Sequence, residues 1–203
     1  MYVLDFPNVI DIVPEGEMGV AKVRHVEVTK SDAVLAVLRR DYMLREGRYC
    51  QLLVNGGLMM SDTPYERSTN WEVKRHAHGR VLIAGLGIGM VLKPILDNPD
   101  VEYVKVIEKY QDVIDLVAPY YNSEKLEVVC ADIYDWKPEK GEKYNVVYFD
   151  IWPDICTDNL EGIAKLHQRG KFWLDKSDPN VWMNSWMKEY LKHKKRREHR
   201  SYW

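Results

Sequence analysis

Three carboxylates stand at or just past the ends of apolar runs: Glu108 after residues 101–107, Asp132 after 126–130, and Asp150 after 145–149. Ahead of them lies RVLIAGLGIG, residues 80–89, in which the apolar run 81–84 enters three glycines at alternate positions, Gly85, Gly87 and Gly89. Glycines are needed where backbone takes a positive φ or where a ligand lies against peptide groups, and the amides opening the next helix offer a partial positive end. Glu108 follows Gly85 by about twenty residues, the separation at which an acidic side chain ending a second strand accepts hydrogen bonds from both hydroxyls of a ribose. Asp132 is placed to meet the amino group of an adenine. One such carboxylate alone is as well explained as a turn cap. Together with the glycines, the three describe a nucleoside pocket.

For these carboxylates to converge, the strands that they end must run side by side. Residues 81–84, 101–107, 126–130 and 145–149 alternate with helical segments at 90–96, shortened or bent by Pro94, and at 110–117. Strands alternating with helices imply right-handed crossovers and a parallel sheet whose ligand site lies at the carboxyl ends. The expected fold is α/β, a Rossmann-like doubly wound, mostly parallel sheet. Residues 1–62 form a smaller N-terminal region and 63–203 the main domain. Residues 1–19 read as a partly extended arm, 20–29 as a half-buried strand, and 31–44 as a helix capped by Ser31. Apolar runs at 49–54 and 58–60 flank Asn55-Gly56-Gly57, a hairpin signal. Thr63-Pro64-Tyr65-Glu66 has the form of a capping box that opens a helix over residues 64–77.

The composition is that of a globular protein: 203 residues, 46% hydrophobic, 30% charged, net charge −2. No global field argues for nucleic acid or an anionic membrane. Cys50, Cys130 and Cys156 have no paired spacing for zinc or a redox dithiol and read as reduced thiols, two of them buried. His76 and His78 lack a partner at ligand spacing, so no metal is expected. With neither a leader-like start nor a long apolar run, a cytoplasmic location is expected.

From Tyr49 to about Asp154, the chain resembles the spermidine synthase branch of the class I S-adenosylmethionine-dependent methyltransferase fold. The resemblance is carried in order by LLVNGGLM, the Tyr65-Glu66 pair, VLIAGLGIG, VEYVKVIE, LEVVCAD and YNVVYFD, and by the apolar Ile83 two residues before the first glycine. It implies that S-adenosylmethionine or its decarboxylated form is the cofactor. Gly85, Leu86, Gly87 and Gly89 would line its methionine and ribose portion, with Glu66 beside them. Glu108 would hold the ribose, and Asp132 with the Ile133 backbone the adenine. Asp150 would orient and help deprotonate an acceptor amine, with Tyr65 and Asp154 as its catalytic companions. Two departures place methyl transfer to an amine-type or small polar acceptor ahead of aminopropyl transfer. Ile88 stands where the branch has an aspartate that contacts the aminopropyl group, and Asp150-Ile151-Trp152-Pro153-Asp154 displaces the second carboxylate of the acceptor loop. Trp152 is either a stacking surface or an aromatic lid.

Residues 158–168 read as a helix, 171–174 as a short fifth strand, and 179–193 as a helix with Trp182, Trp186 and Tyr190 on a core-facing stripe. The basic run at 192–203 is open to phosphates, which makes a non-catalytic nucleic-acid module a competing reading, but a solvated helix end is favoured. A nicotinamide-binding protein is disfavoured by the two-residue spacing of Gly87 and Gly89. The N-terminal hairpin offers a surface on which a homodimer could pair.

Overall fold

Alternating burial builds the first sheet. In the computed structural model, which describes residues 6–38 and 44–200, strand β2 (Ala21–Val28) buries Ala21 and Val23 while Lys22 and Arg24 face solvent. It pairs antiparallel with β1 (Gly16–Met18) and β3 (Gly47–Val54), and β3 pairs with β4 (Gly57–Ser61) through the expected turn, Asn55 and Gly56 both taking positive φ. Helix α1 (Lys30–Leu38) is capped by Thr29 rather than Ser31: Asp32 Oδ2 accepts the Thr29 amide at 2.9 Å, and Thr29 Oγ1 accepts the Asp32 amide at 3.2 Å. Its expected continuation to residue 44 runs into residues 39–43, outside those described.

The buried carboxylate of Asp62 gathers the N-terminal part. It accepts the amides of Val9 (2.9 Å) and Cys50 (2.7 Å) and the Arg67 guanidinium (2.8 Å), and Arg67 also reaches Asn8. The arm, β3 and the next helix are thereby held on one side chain. Of the three cysteines only Cys50 is buried; Cys130 is exposed and Cys156 intermediate, against the expectation of two buried thiols.

The single helix expected over 64–77 is two, α2 (Pro64–Thr69) and α3 (Trp71–His76), broken at Asn70. The Asn70 side chain explains the break: its amide donates back to the Glu66 carbonyl at 3.1 Å, and its oxygen accepts the Tyr148 hydroxyl at 2.9 Å. The Thr63 side chain makes no capping bond, and the Glu66 carboxylate turns instead to the Ser61 amide and hydroxyl.

Five parallel strands form the second sheet in the order β7-β6-β5-β8-β9: β5 (Gly79–Ala84), β6 (Val101–Glu108), β7 (Leu126–Cys130), β8 (Val146–Phe149) and β9 (Trp182–Ser185). The two faces of β5 enter different cores. Val81 and Ile83 pack in the cluster that includes Ile95 of α4 (Leu92–Leu96) and Val113 of α5 (Gln111–Val117), whereas Leu82 and Ala84 pack with Leu166 of α6 (Asn159–Gly170). This is the doubly wound α/β arrangement that the sequence predicts. The chain leaves β5 toward β6 and β7, then returns to β8 on the other side of β5, which makes the carboxyl end of β5 the switch point where such folds bind ligands.

The C-terminal expectations need correction. Residues 179–193 are not one helix: Trp182 begins β9, its amide bonded to the Asn145 carbonyl, and its ring stacks on His76 at 4.7 Å and near Tyr148 at 6.0 Å. The expected core-facing stripe does not form: Trp182 is held by strand pairing and ring stacking, Trp186 donates to Thr69 Oγ1 at 2.9 Å, and Tyr190 is exposed. Helix α7 (Lys188–Arg200) starts only after Met187, at φ 56°. Residues 171–174 contribute one bridge, Leu174 to Tyr144, and no full strand. Among the described residues, no helix is long and apolar enough to cross a membrane.

Replacing Asp62 with alanine leaves the Arg67 charge without its buried partner. Urea unfolding of Asp62→Ala is expected to show a loss of about 3–5 kcal/mol, whereas an exposed pair such as Lys93–Asp97 should change stability by no more than about 1 kcal/mol.

Candidate functional site

Strand β5 delivers the chain into its glycine turn at the switch point. The Gly85 amide bonds the Ile107 carbonyl at 2.8 Å, keeping the turn level with the end of β6. Gly85 takes φ 97°, and a Cβ there would overlap the Asp150 carbonyl oxygen at the end of β8. Gly87, at φ 54°, lies directly beneath Met60 of the hairpin, so a Cβ would strike the Met60 sulfur. The N-terminal sheet is therefore one wall of the site. Met60 Sδ also lies 3.2 Å from the Ile88 amide.

Glu108 closes the other side of the turn. It is 8% exposed; Oε2 accepts the Leu86 amide at 2.8 Å and Oε1 the Tyr110 amide at 2.9 Å. Each oxygen keeps a further lone pair for a ligand donor. At the end of β7, Asp132 accepts the Tyr134 amide at 2.9 Å and pairs with the Lys109 ammonium at 3.0 Å. These bonds, the Tyr134 amide foremost, hold its carboxyl below the ordinary range.

Between these groups opens a cavity of about 570 Å³, within the range of sites for nucleotide-sized ligands. Gly85, Leu86, Gly87, Glu108, Asp132, Ile133, Glu66 and Asp150 all line it. Its carboxylates are Glu66, Glu108, Asp132 and Asp150, and its basic side chain is Lys109, already paired to Asp132. Burial pushes Asp150 up to about 7, with the charge of Glu66 adding to it, and burial likewise raises Glu66 to about 7 against the Ser61 bonds that lower it. Two carboxyls that cannot both ionise cheaply favour a positive or hydrogen-donating occupant.

Three expected site residues stand elsewhere. Gly89 backs onto the ring of Tyr121, whose hydroxyl donates to the Ile88 carbonyl at 2.8 Å. Tyr65 is half-buried on α2 and does not line the cavity. Asp154 is exposed and holds the Asn159 amide at the start of α6 through its carbonyl and Oδ1. Ile88 is fully buried in the core and also lies off the cavity wall. Conversely, Met60, Asn70, Lys109, Tyr110 and Trp186 line the cavity although the sequence did not single them out as site residues. Only the Lys109-Tyr110 pair, adjoining Glu108, carried a sequence signal. Trp152 lines the cavity and meets Tyr134 over Gly162 of α6.

No protein-family model matches the chain, and no curated protein does. Solved structures do resemble it. They include an N-methyltransferase, NodS, from Bradyrhizobium japonicum, with 12% identity over 55% of this chain and 64% of that one, at a TM-score of 0.44. Spermidine synthase from Thermotoga maritima has 16% identity over 81% and 53%, at 0.48. An S-adenosylmethionine-dependent methyltransferase from Clostridium acetobutylicum has 12% identity over 52% and 43%, at 0.39. The chain thus spans roughly half of these proteins' lengths. The neighbours are methyltransferases and a spermidine synthase, the grouping whose motifs the sequence resembles. At these identities and scores the likeness carries no argument about function, which rests on the cavity's own residues.

Because Asp150 and Glu66 take up protons more readily in the folded chain than in the unfolded one, their contribution to stability is full at low pH and is lost as pH rises through about 7. Thermal melts of the free protein should reflect this loss, and Asp150→Asn should flatten the fall over that range. An unchanged pH profile in the variant would remove the pair from the account.

Proposed function

We propose that the chain is an S-adenosylmethionine-dependent transferase that moves a methyl group to an amine-type acceptor. The observation that carries this is the acidic lining of the switch-point cavity, with Glu108 fixed between the glycine turn and α5. The residues fit an adenosyl sulfonium compound. Glu108 keeps free lone pairs for two ribose hydroxyls, Asp132 and the Ile133 backbone stand at the next strand end for an adenine edge, and the Gly87 amide has no hydrogen-bond partner among the described residues. The bound sulfonium would supply an electrophilic carbon with its leaving group already attached. What the chain contributes is alignment and proton handling: Asp150, with a carboxyl near neutrality, can orient an amine and accept its proton.

A second reading, aminopropyl transfer from the decarboxylated cofactor, is favoured by one observation. Among the described residues the lining cation is Lys109, held by Asp132, so an α-carboxylate finds no unpaired positive side chain among them. Ile88 weighs the other way, since this position offers no carboxylate to an aminopropyl amine.

Isothermal calorimetry checks the class. S-adenosylhomocysteine should bind, and Glu108→Ala should weaken it by about tenfold or more, since a hydrogen bond to a charged group contributes about 1.5–3 kcal/mol, with circular dichroism confirming an unchanged fold. Tighter binding of decarboxylated than of intact S-adenosylmethionine would favour aminopropyl transfer. Absence of binding by any adenosyl sulfonium or thioether would contradict both readings.

A further inference from the structure

Helix α7 sets dense positive charge beside an acid-lined cavity. Between positions 188 and 198 it carries Lys188, Lys192, Lys194, Lys195, Arg196 and Arg197 against Glu189 and Glu198. Leu191 is buried, while Lys195, Arg196 and Arg197 are exposed. Arg196 and Arg197 make no ion pair among the described residues. The helix is tied to the wall of the site. Trp186, two residues before it, lines the cavity, and Lys194 Nζ donates to the Ile155 carbonyl at 3.2 Å, holding α7 against the segment whose Trp152 and Pro153 also line it.

Charge of this kind attracts any polyanion. The rest of the surroundings narrow the choice. Leu191 is the apolar residue that α7 buries, and among its described side chains only Tyr190 is apolar and exposed, too little to make a face for a bilayer. The cavity wall includes Trp152, Tyr134 and Trp186, the first two meeting over Gly162, and also the hydrogen-bond acceptors Glu66 and Asp150. A ligand with phosphates at one end, a flat ring in the middle and N–H donors at its edge matches all three zones. Unpaired nucleic acid fits that description, because a base outside a duplex exposes its face for stacking and its edge for the cavity.

We propose that the acceptor is a base of single-stranded nucleic acid, its phosphates on Lys195, Arg196 and Arg197, its ring against Trp152, and its amine at the Glu66–Asp150 pair. This rests on the transferase reading above. In the step, the amine nitrogen forms a bond to the methyl carbon of the sulfonium. The carbon–sulfur bond breaks with its electron pair going to sulfur, giving a neutral thioether, and the amine proton passes to a carboxylate of the pair.

The test uses the full chain and fluorescence anisotropy with labelled mixed-sequence RNA and DNA 20-mers, single-stranded and duplex, over a salt series. Single strands should bind more tightly than duplex. Lys195→Glu/Arg196→Glu/Arg197→Glu should lose at least tenfold in affinity and lower the salt slope by about 2, from roughly 0.7 per phosphate contact on single strands, while calorimetric binding of S-adenosylhomocysteine stays unchanged. Trp152→Ala should weaken single-strand binding alone. Methyl incorporation into RNA but not DNA, or the reverse, then names the polymer. Several results would overturn the proposal: no oligonucleotide binding at low salt, equal binding by the triple variant, duplex bound as tightly as single strand, or an acidic peptide or anionic vesicle bound equally well. S-adenosylhomocysteine binding without oligonucleotide binding overturns it and leaves the transferase reading standing. Oligonucleotide binding without S-adenosylhomocysteine binding overturns the transferase reading, and the acceptor role with it.

Discussion

The carboxylate of Glu108 ties the glycine turn to the head of α5. With one oxygen on the Leu86 amide and the other on the Tyr110 amide, it satisfies two donors that the switch point would otherwise leave buried, each costly if unpaired. It also fixes the distance between the turn after β5 and the end of β6. The floor of the cavity is built on that distance. Asp132 and Asp150 then enter from the strands on either side, because β6–β7 and β5–β8 pair in parallel and bring their carboxyl ends to the same edge.

The walls come from a different part of the chain. Met60 descends from the hairpin onto Gly87, and Ser61 holds the Glu66 carboxylate on the cavity wall. Asp62, the next residue, anchors the same strand end to the N-terminal arm and to α2. Three consecutive residues thus couple the antiparallel sheet to the site, each by a different interaction. Their arrangement sets the Glu66 carboxylate among the acidic groups that line the site.

Much of this was legible in the sequence. Parallel strands read as short, mostly apolar runs, and a carboxylate at the end of each run stays near the ligand edge however the loops vary, so Glu108, Asp132 and Asp150 were found by position alone. The hairpin was legible because Asn55-Gly56 specifies its turn locally. What was not legible depended on distant partners. The break at Asn70 needs the Tyr148 hydroxyl, 78 residues away, and Trp182 is a strand because Asn145 and His76 receive it. Gly89 looked equivalent to Gly85 and Gly87, yet its neighbour is the Tyr121 ring, which no local pattern announces. Tyr65 and Asp154 were placed by family position, and the local geometry of α2 and of the α6 start directs them elsewhere.

The central claim, that this edge of the sheet holds an adenosyl group on Glu108, is tested most directly by a crystal structure of the protein grown with S-adenosylhomocysteine. The account predicts adenosine density in the switch-point cavity, with both ribose hydroxyls on the Glu108 carboxylate and the adenine edge at Asp132 and Ile133. Density for the ligand at any other place, or an empty cavity at saturating ligand, would contradict it.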